Sequence, residues 1–292
     1  MAIARFDDNL SRTKQSANTS HVNENGMPQI NRKIQSLTVG SLIGCLGGLI
    51  GLGGAEFRLP VLVGLFKLGT LEAVILNKAM SLVVVSVALL FRLKSISLDS
   101  LVDHQGVVIN LLTGSLIGAW WAAGHAITMS RAWLDRIIMI LLAGLAMLML
   151  VESTWGLHAD GALFANTATQ FAAGVAAGLL IGIVAALLGV AGGELLIPTI
   201  VLLYGLDVKL AGSLSLCVSL PTMVVGFARY RQSDSFKVLR AEGSLLRWMS
   251  MGSILGAATG GLMLGLVPTG ALTFGLGVIL LISAVKTFMH AK

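Results

Sequence analysis

Two stretches of this chain, GLGGAEFRLP at residues 51–60 and GVAGGELLIP at residues 189–198, bring together residue types that can bind an ion inside an apolar segment. Each joins a pair of glycines to a glutamate and places a proline four residues beyond it. Glycine takes backbone angles closed to other residues, and proline has no amide hydrogen to give a helix. The combination predicts an interrupted helix whose free amides face the interruption. A helix starting near Ala55 or Glu56, and another near Glu194, would attract an anion through backbone N–H groups and the helix dipole. The candidate substrate-binding residues are therefore Gly53, Gly54 and Glu56 in the first stretch, and Gly192, Gly193 and Glu194 in the second. Pro60 and Pro198 are the expected helix-breaking positions.

Three roles are open to the glutamates. Each can cap its own helix start, line the substrate, or bind a coupled proton or sodium ion, because a carboxylate within a membrane is costly unless paired, neutralised or used. Arg58 is a charge partner, a substrate contact, or a side chain that snorkels to the membrane edge. In the segment that follows, LEAVILNKAMSLVVVS, Asn77 and Ser81 are four residues apart on one helix face. Ser215 and Ser219 repeat that spacing in VKLAGSLSLCVSLPT. Both pairs can direct hydrogen bonds toward the interruptions. Lys78 either balances an anion or snorkels.

These groups need elements to hold them, and the composition says which. The 292 residues are 55% hydrophobic and 12% charged, with a mean hydropathy of +0.88. Apolar stretches run over about 37–66, 73–91, 106–128, 133–151, 170–206, 210–228, 246–268 and 271–288. Several reach the roughly 20 residues that a helix needs to cross a hydrocarbon core. The expectation is an all-α polytopic membrane protein; a β-barrel would show short alternating segments instead.

A shift of 138 residues lays one half on the other, pairing Gly51 with Gly189, Gly54 with Gly192, Glu56 with Glu194 and Pro60 with Pro198. The same shift pairs Ser81 with Ser219 and GSLIGAWWAAG (114–124) with GSILGAATGGL (252–262). One constant offset joining distant features indicates duplication. The division is a polar cytosolic tail (1–36), a first transmembrane repeat (37–154), a linker (155–174) and a second repeat (175–292). Each repeat holds one glycine-broken helix and three spanning helices. If the broken helix dips into the bilayer and returns, the repeats are inverted; if it crosses, they are parallel. Placing lysine and arginine on the cytoplasmic side favours inversion.

Other classes fit less well. The net charge of +6 is accounted for by the positive-inside rule and anionic lipid headgroups without nucleic acid. Cys45 and Cys217 lie in apolar segments as small core residues, and the five histidines lack metal-ligand spacing. No cofactor is expected, no GxxxxGK[ST] loop is present to hydrolyse ATP, and no enzyme is expected.

The two glycine-rich segments that run into prolines, GLIGLGGAEFRLPVL (48–62) and GVAGGELLIPTIVLLYG (189–205), resemble those of the sulfite exporter TauE/SafE membrane transporters, also called the TSUP or DUF81 family. The resemblance covers nearly everything after residue 36. Gly53, Gly54, Gly192 and Gly193 carry the family's glycine cluster, with Ala55 and Ala191 departing from a fuller glycine run. It implies secondary transport, often export, of sulfite, sulfonates or other small sulfur-containing anions across the cell membrane. An anion channel and a carrier of non-sulfur carboxylates are the alternatives.

Overall fold

The computed structural model describes residues 29–50, 54–92, 102–155, 163, 166–263 and 269–289. They form α1 (Gln29–Ile50), α2 (Ala55–Gly64), α3 (Thr70–Arg92), α4 (Gln105–Thr128), α5 (Arg131–Trp155), α6 (Thr167–Leu188), α7 (Gly193–Tyr204), α8 (Val208–Tyr230), a 3-10 turn (Asp234–Lys237), α9 (Val238–Ala241), α10 (Gly243–Leu262) and α11 (Thr269–Met289). Among the described residues, α3, α4, α5, α6 and α8 contain stretches long and apolar enough to cross a bilayer. The 23 residues of α3 extend about 35 Å at 1.5 Å per residue. The 10 residues of α2 and 12 of α7 reach only about half that, too short to span.

Helix starts in the two halves are separated by 138 residues throughout: Gln29 and Thr167, Ala55 and Gly193, Thr70 and Val208, Gln105 and Gly243, Arg131 and Thr269. α1 begins at Gln29, so the helix extends into the segment read as a polar tail. Local chemistry sets several of these starts. The Asn166 side chain accepts the Ala168 amide at 2.9 Å, and that of Asp207 accepts the Lys209 and Leu210 amides at 2.9 and 3.1 Å. Each caps amides that the first turn cannot pair internally.

The long helices pack across the halves. α1 lies against α10, α6 against α4, and α5 against α11. Small residues permit the close approach that membrane helices use in place of a hydrophobic driving force. A Cβ on Gly44 would strike the backbone of Ser253, and one on Gly182 would strike that of Ser115, so the two interfaces also differ by the same offset. Ser115 additionally hydrogen-bonds Thr222 at 2.7 Å, tying α4 to α8. α3 and α8 pack together at the centre, with α2 against α3 and α7 against α8. Ala73, Val74, Ile75 and Leu76 of α3, and Ala211, Leu214 and Val218 of α8, are wholly enclosed. Trp120, Trp133, Ile140, Leu180 and Ile282 are exposed on outer faces, as a lipid-facing surface requires.

The two interrupted segments each turn back. Arg32 near the start of α1 lies over the Phe66 ring beyond α2, with its guanidinium 6.0 Å from the ring centre. Gln170 near the start of α6 donates to the Leu203 carbonyl near the end of α7 at 2.7 Å. Each hairpin therefore enters and leaves at one end of the bundle. At the first hairpin's end, Arg32, Lys67, Asp234, Lys237 and Glu242 line one cavity, and Arg32 pairs with Glu242 at 3.0 Å.

Candidate functional site

The turn in each hairpin depends on a glycine. Gly54 has φ 69° and Gly192 φ 80°, immediately before α2 and α7. A side chain there would meet the left-handed penalty of roughly 1–2 kcal/mol. Gly53 lies outside the described residues. Gly193 opens α7, and a Cβ built on it meets nothing within 4 Å, so the start of that helix borders open space.

Pro60 and Pro198 sit inside α2 and α7, each five residues after the helix start, and do not form the interruptions. The reversal belongs to the glycines upstream. The prolines act on the other side of the hydrogen bond: an i to i−4 bond from residue 60 or 198 would end on the carbonyl of Glu56 or Glu194, and proline cannot give it. This explains the fixed spacing between glutamate and proline.

Glu56 is fully buried and Glu194 is nearly so. Their carboxyl groups come within hydrogen-bonding reach of one another. Neither helix start receives a side-chain cap, so the glutamates do not fill their own amide cradles. No protein donor reaches either oxygen of Glu56. The two hairpins thus meet through their acidic residues.

Arg58 does not snorkel. It is among the largest fully buried side chains, and its Nη2 donates to Ser81 Oγ at 2.9 Å. Its Nε and Nη1 have no partner. Both glutamates act on it electrostatically, but the ion pairs formed between described residues, Arg32–Glu242 and Lys237–Asp234, lie elsewhere. A buried guanidinium with an unused edge beside two carboxyls is the least satisfied group in the molecule, since buried charges ordinarily find partners.

Asn77 binds the hairpins together. Its Nδ2 donates to Ala55 O in α2 and to Leu188 O at the end of α6, each at 3.0 Å, while its Oδ1 has no partner. Lys78 is also fully buried and gives its Nζ to Ala185 O at 2.9 Å. Tyr230 Oη donates to Ala186 O at 3.1 Å. The last four carbonyls of a helix lack internal partners, and three of those in α6 are served by these side chains. Lys78 also sits at the end of α6 that favours a cation. It is therefore engaged with a helix terminus, although the sequence left it as an anion partner or a snorkelling residue.

The serine pairs divide. Ser81 receives the Arg58 hydrogen bond. Ser215 Oγ turns to its own helix, donating to Gly212 O at 2.9 Å. Ser219 Oγ is buried without a partner. The structure thus joins Glu56, Arg58, Ser81 and Asn77 to Glu194 around the hairpin tips and leaves Ser215 occupied locally. Tyr230 drew no notice in the sequence, where a tyrosine closing an apolar helix carries no distinctive signal. Among the described residues, no group of three His, Cys, Asp or Glu side chains could hold a metal.

Two interrupted hairpins that meet around buried, unpartnered polar groups in a helical membrane protein define a transporter, because broken backbone at that depth is tolerated only within protein or beside a watery path. The chain belongs to the sulfite exporter TauE/SafE family, whose profile matches residues 36–239 and, again, residues 174–292. It is a membrane transporter of small anions and not an enzyme. Comparisons with curated proteins and with solved structures give no match.

Proposed function

We propose that this protein is a secondary transporter that exports a small sulfur-containing anion, such as sulfite or an organosulfonate, by alternating access. The Arg58 guanidinium carries the reading. It is fully buried, steadied at one nitrogen by Ser81, and offers Nε and Nη1 as an unused donor edge. A guanidinium edge of that kind suits the oxygens of a compact oxyanion, which it can engage with two hydrogen bonds. The uncapped amide ends of α2 and α7 add positive potential without further charged residues. The choice of sulfur rests on the family description, which names sulfite export.

The two halves act as inverted repeats. The common offset of the helix starts supports the duplication, and the second family match, beginning at residue 174 where the first begins at 36, supports it again. Return of one hairpin to the end bearing Arg32 and Phe66, and of the other to the end bearing Gln170 and Leu203, supports the inversion. The first end gathers Arg32, Lys67, Arg131, Lys237 and Arg240, whose positive charge marks it as cytoplasmic. Helix α1 then starts on the cytoplasmic side of the cell membrane. Rocking of one half against the other would open the Arg58 site to either face.

Reconstituted vesicles loaded with sulfite test this reading. External labelled sulfite should show saturable counterflow, competed by methanesulfonate and thiosulfate and lost in Arg58→Ala. Stronger competition by acetate or another carboxylate would remove the sulfur assignment. Flux without saturation or counterflow would identify a channel.

A further inference from the structure

We propose that Glu56 and Glu194 share one proton that is bound and carried together with the anion, making the carrier a proton–anion symporter. This deepens the function proposed above and rests on it. The argument is one of charge and contact. Two buried carboxyls within hydrogen-bonding reach of each other are both acceptors when ionised, so contact between them requires a hydrogen. No protein donor supplies one to Glu56. With both groups ionised, Glu56, Glu194 and Arg58 together carry one negative charge and repel an incoming anion. One shared proton makes the trio neutral and leaves the Arg58 edge free to attract it.

The surrounding elements contain no other group placed to do this. On α3, Lys78 is held by Ala185 O, and on α8, Tyr230 is held by Ala186 O. Glu72 near the start of α3 is tied to the Gly69 amide. Helix α6 contains no ionisable side chain. On α1, Arg32 and Lys33 lie at the first end of the bundle and Cys45 is a thiol. Lys209 begins α8 and Tyr204 closes α7 at the opposite end, while Lys286 is in the last turn of α11. A proton is favoured over sodium because carboxyls close enough to hydrogen-bond leave no room for a metal ion between them. The step balances simply: a proton from water on the loading side joins one carboxylate oxygen, forming O–H···O⁻ across the pair, and returns to water on the other side as the anion leaves.

Two measurements on the purified full-length protein decide the matter. The first reads the infrared carbonyl stretch of a protonated carboxyl in detergent at neutral pH. The band should be present in the wild type and lost in the Glu56→Gln/Glu194→Gln double variant; a wild type without it, or a double variant that keeps it, overturns the proposal. The second uses vesicles with a trapped pH dye and methanesulfonate, a strong acid that does not itself buffer. Outward methanesulfonate flux should carry about one proton per anion and alkalinise the lumen. In each single glutamine variant proton movement should cease while anion exchange persists, because glutamine resembles the protonated carboxyl. Anion counterflow without proton movement, or with sodium dependence instead, overturns the symport and leaves anion transport standing. Absence of counterflow with every anion would refute the transport reading, and the infrared band would still decide whether the shared proton exists.

Discussion

Arg58 reaches across from α2 to α3 and donates Nη2 to Ser81 Oγ at 2.9 Å, deep inside the bundle and with its other edge unpaired. The hydroxyl fixes the plane of the guanidinium without neutralising it. Orientation is supplied by a neutral neighbour, and charge remains for a ligand.

Replacing Arg58 with lysine keeps a cation but removes the planar donor edge. Hydrogen bonds to charged groups contribute roughly 1.5–3 kcal/mol, so sulfite affinity should fall about 10- to 100-fold. Calorimetric titration of the variant should show this loss. Ser81→Ala should weaken binding less, since the donor edge survives and only its support is gone. An Arg58→Lys protein that binds as the wild type does would remove Arg58 from the site.

Lys78 and Arg58 should behave differently. Lys78→Met leaves the Ala185 carbonyl without its donor, which costs about 1–3 kcal/mol of stability. The loss should be seen in the thermal unfolding midpoint in detergent, with binding of sulfite affected far less than in Arg58→Lys. A larger effect on affinity than on unfolding would show that the ammonium contacts the anion.

Asn77→Leu removes both bridges, to Ala55 O and Leu188 O, while keeping nearly the same size. Two buried acceptors lose their donor, at a cost of about 1–3 kcal/mol in the membrane context. Because those carbonyls belong to different hairpins, transport rate should drop along with stability. Unfolding and initial-rate measurements on the same preparation check the coupling.

The two positive-φ glycines should differ in tolerance. Both carry the left-handed penalty of roughly 1–2 kcal/mol when changed to alanine. A Cβ on Gly54 would also press on the Ile43 carbonyl, whereas one on Gly192 meets a movable Ile181 methyl at 3.1 Å. Gly54→Ala should therefore unfold at a lower temperature than Gly192→Ala. The reverse order would mean that the α1–α2 turn relaxes more readily than its packing implies.

Sidedness separates the inverted arrangement from the parallel one. With Cys45 and Cys217 replaced by alanine, single cysteines at Arg131 and Lys237 should be labelled by an impermeant thiol reagent from the cytoplasmic side. A cysteine at Lys209 should be labelled from the other side. Parallel repeats would put residue 131 opposite residue 237.

Much of this molecule is written in one dimension. Long apolar runs determine a helical membrane protein because lipid offers no partner for backbone polar groups. Glycine pairs mark the hairpin turns because Gly54 and Gly192 adopt angles that a side chain resists. The constant offset of 138 residues located every paired helix start, since each half repeats the same local punctuation. The prolines misled in one respect: their types pointed to an interruption, but each lies within a helix and removes a hydrogen bond to the glutamate four residues earlier.

What neighbours each polar side chain was decided only in three dimensions. Sequence chemistry allows Arg58 and Lys78 to snorkel, and nothing local forbids it. Burial of α2 and α3 at the bundle centre leaves neither a route to the membrane surface. Lys78 then finds Ala185, 107 residues away in the chain, and Asn77 finds Leu188, 111 residues away. The meeting of Glu56 with Glu194 likewise depends on two hairpins entering from opposite ends and stopping at the same depth. Residue type sets what a group can bind; which groups come within a few ångströms is set by helix packing, and packing is a property of the whole bundle.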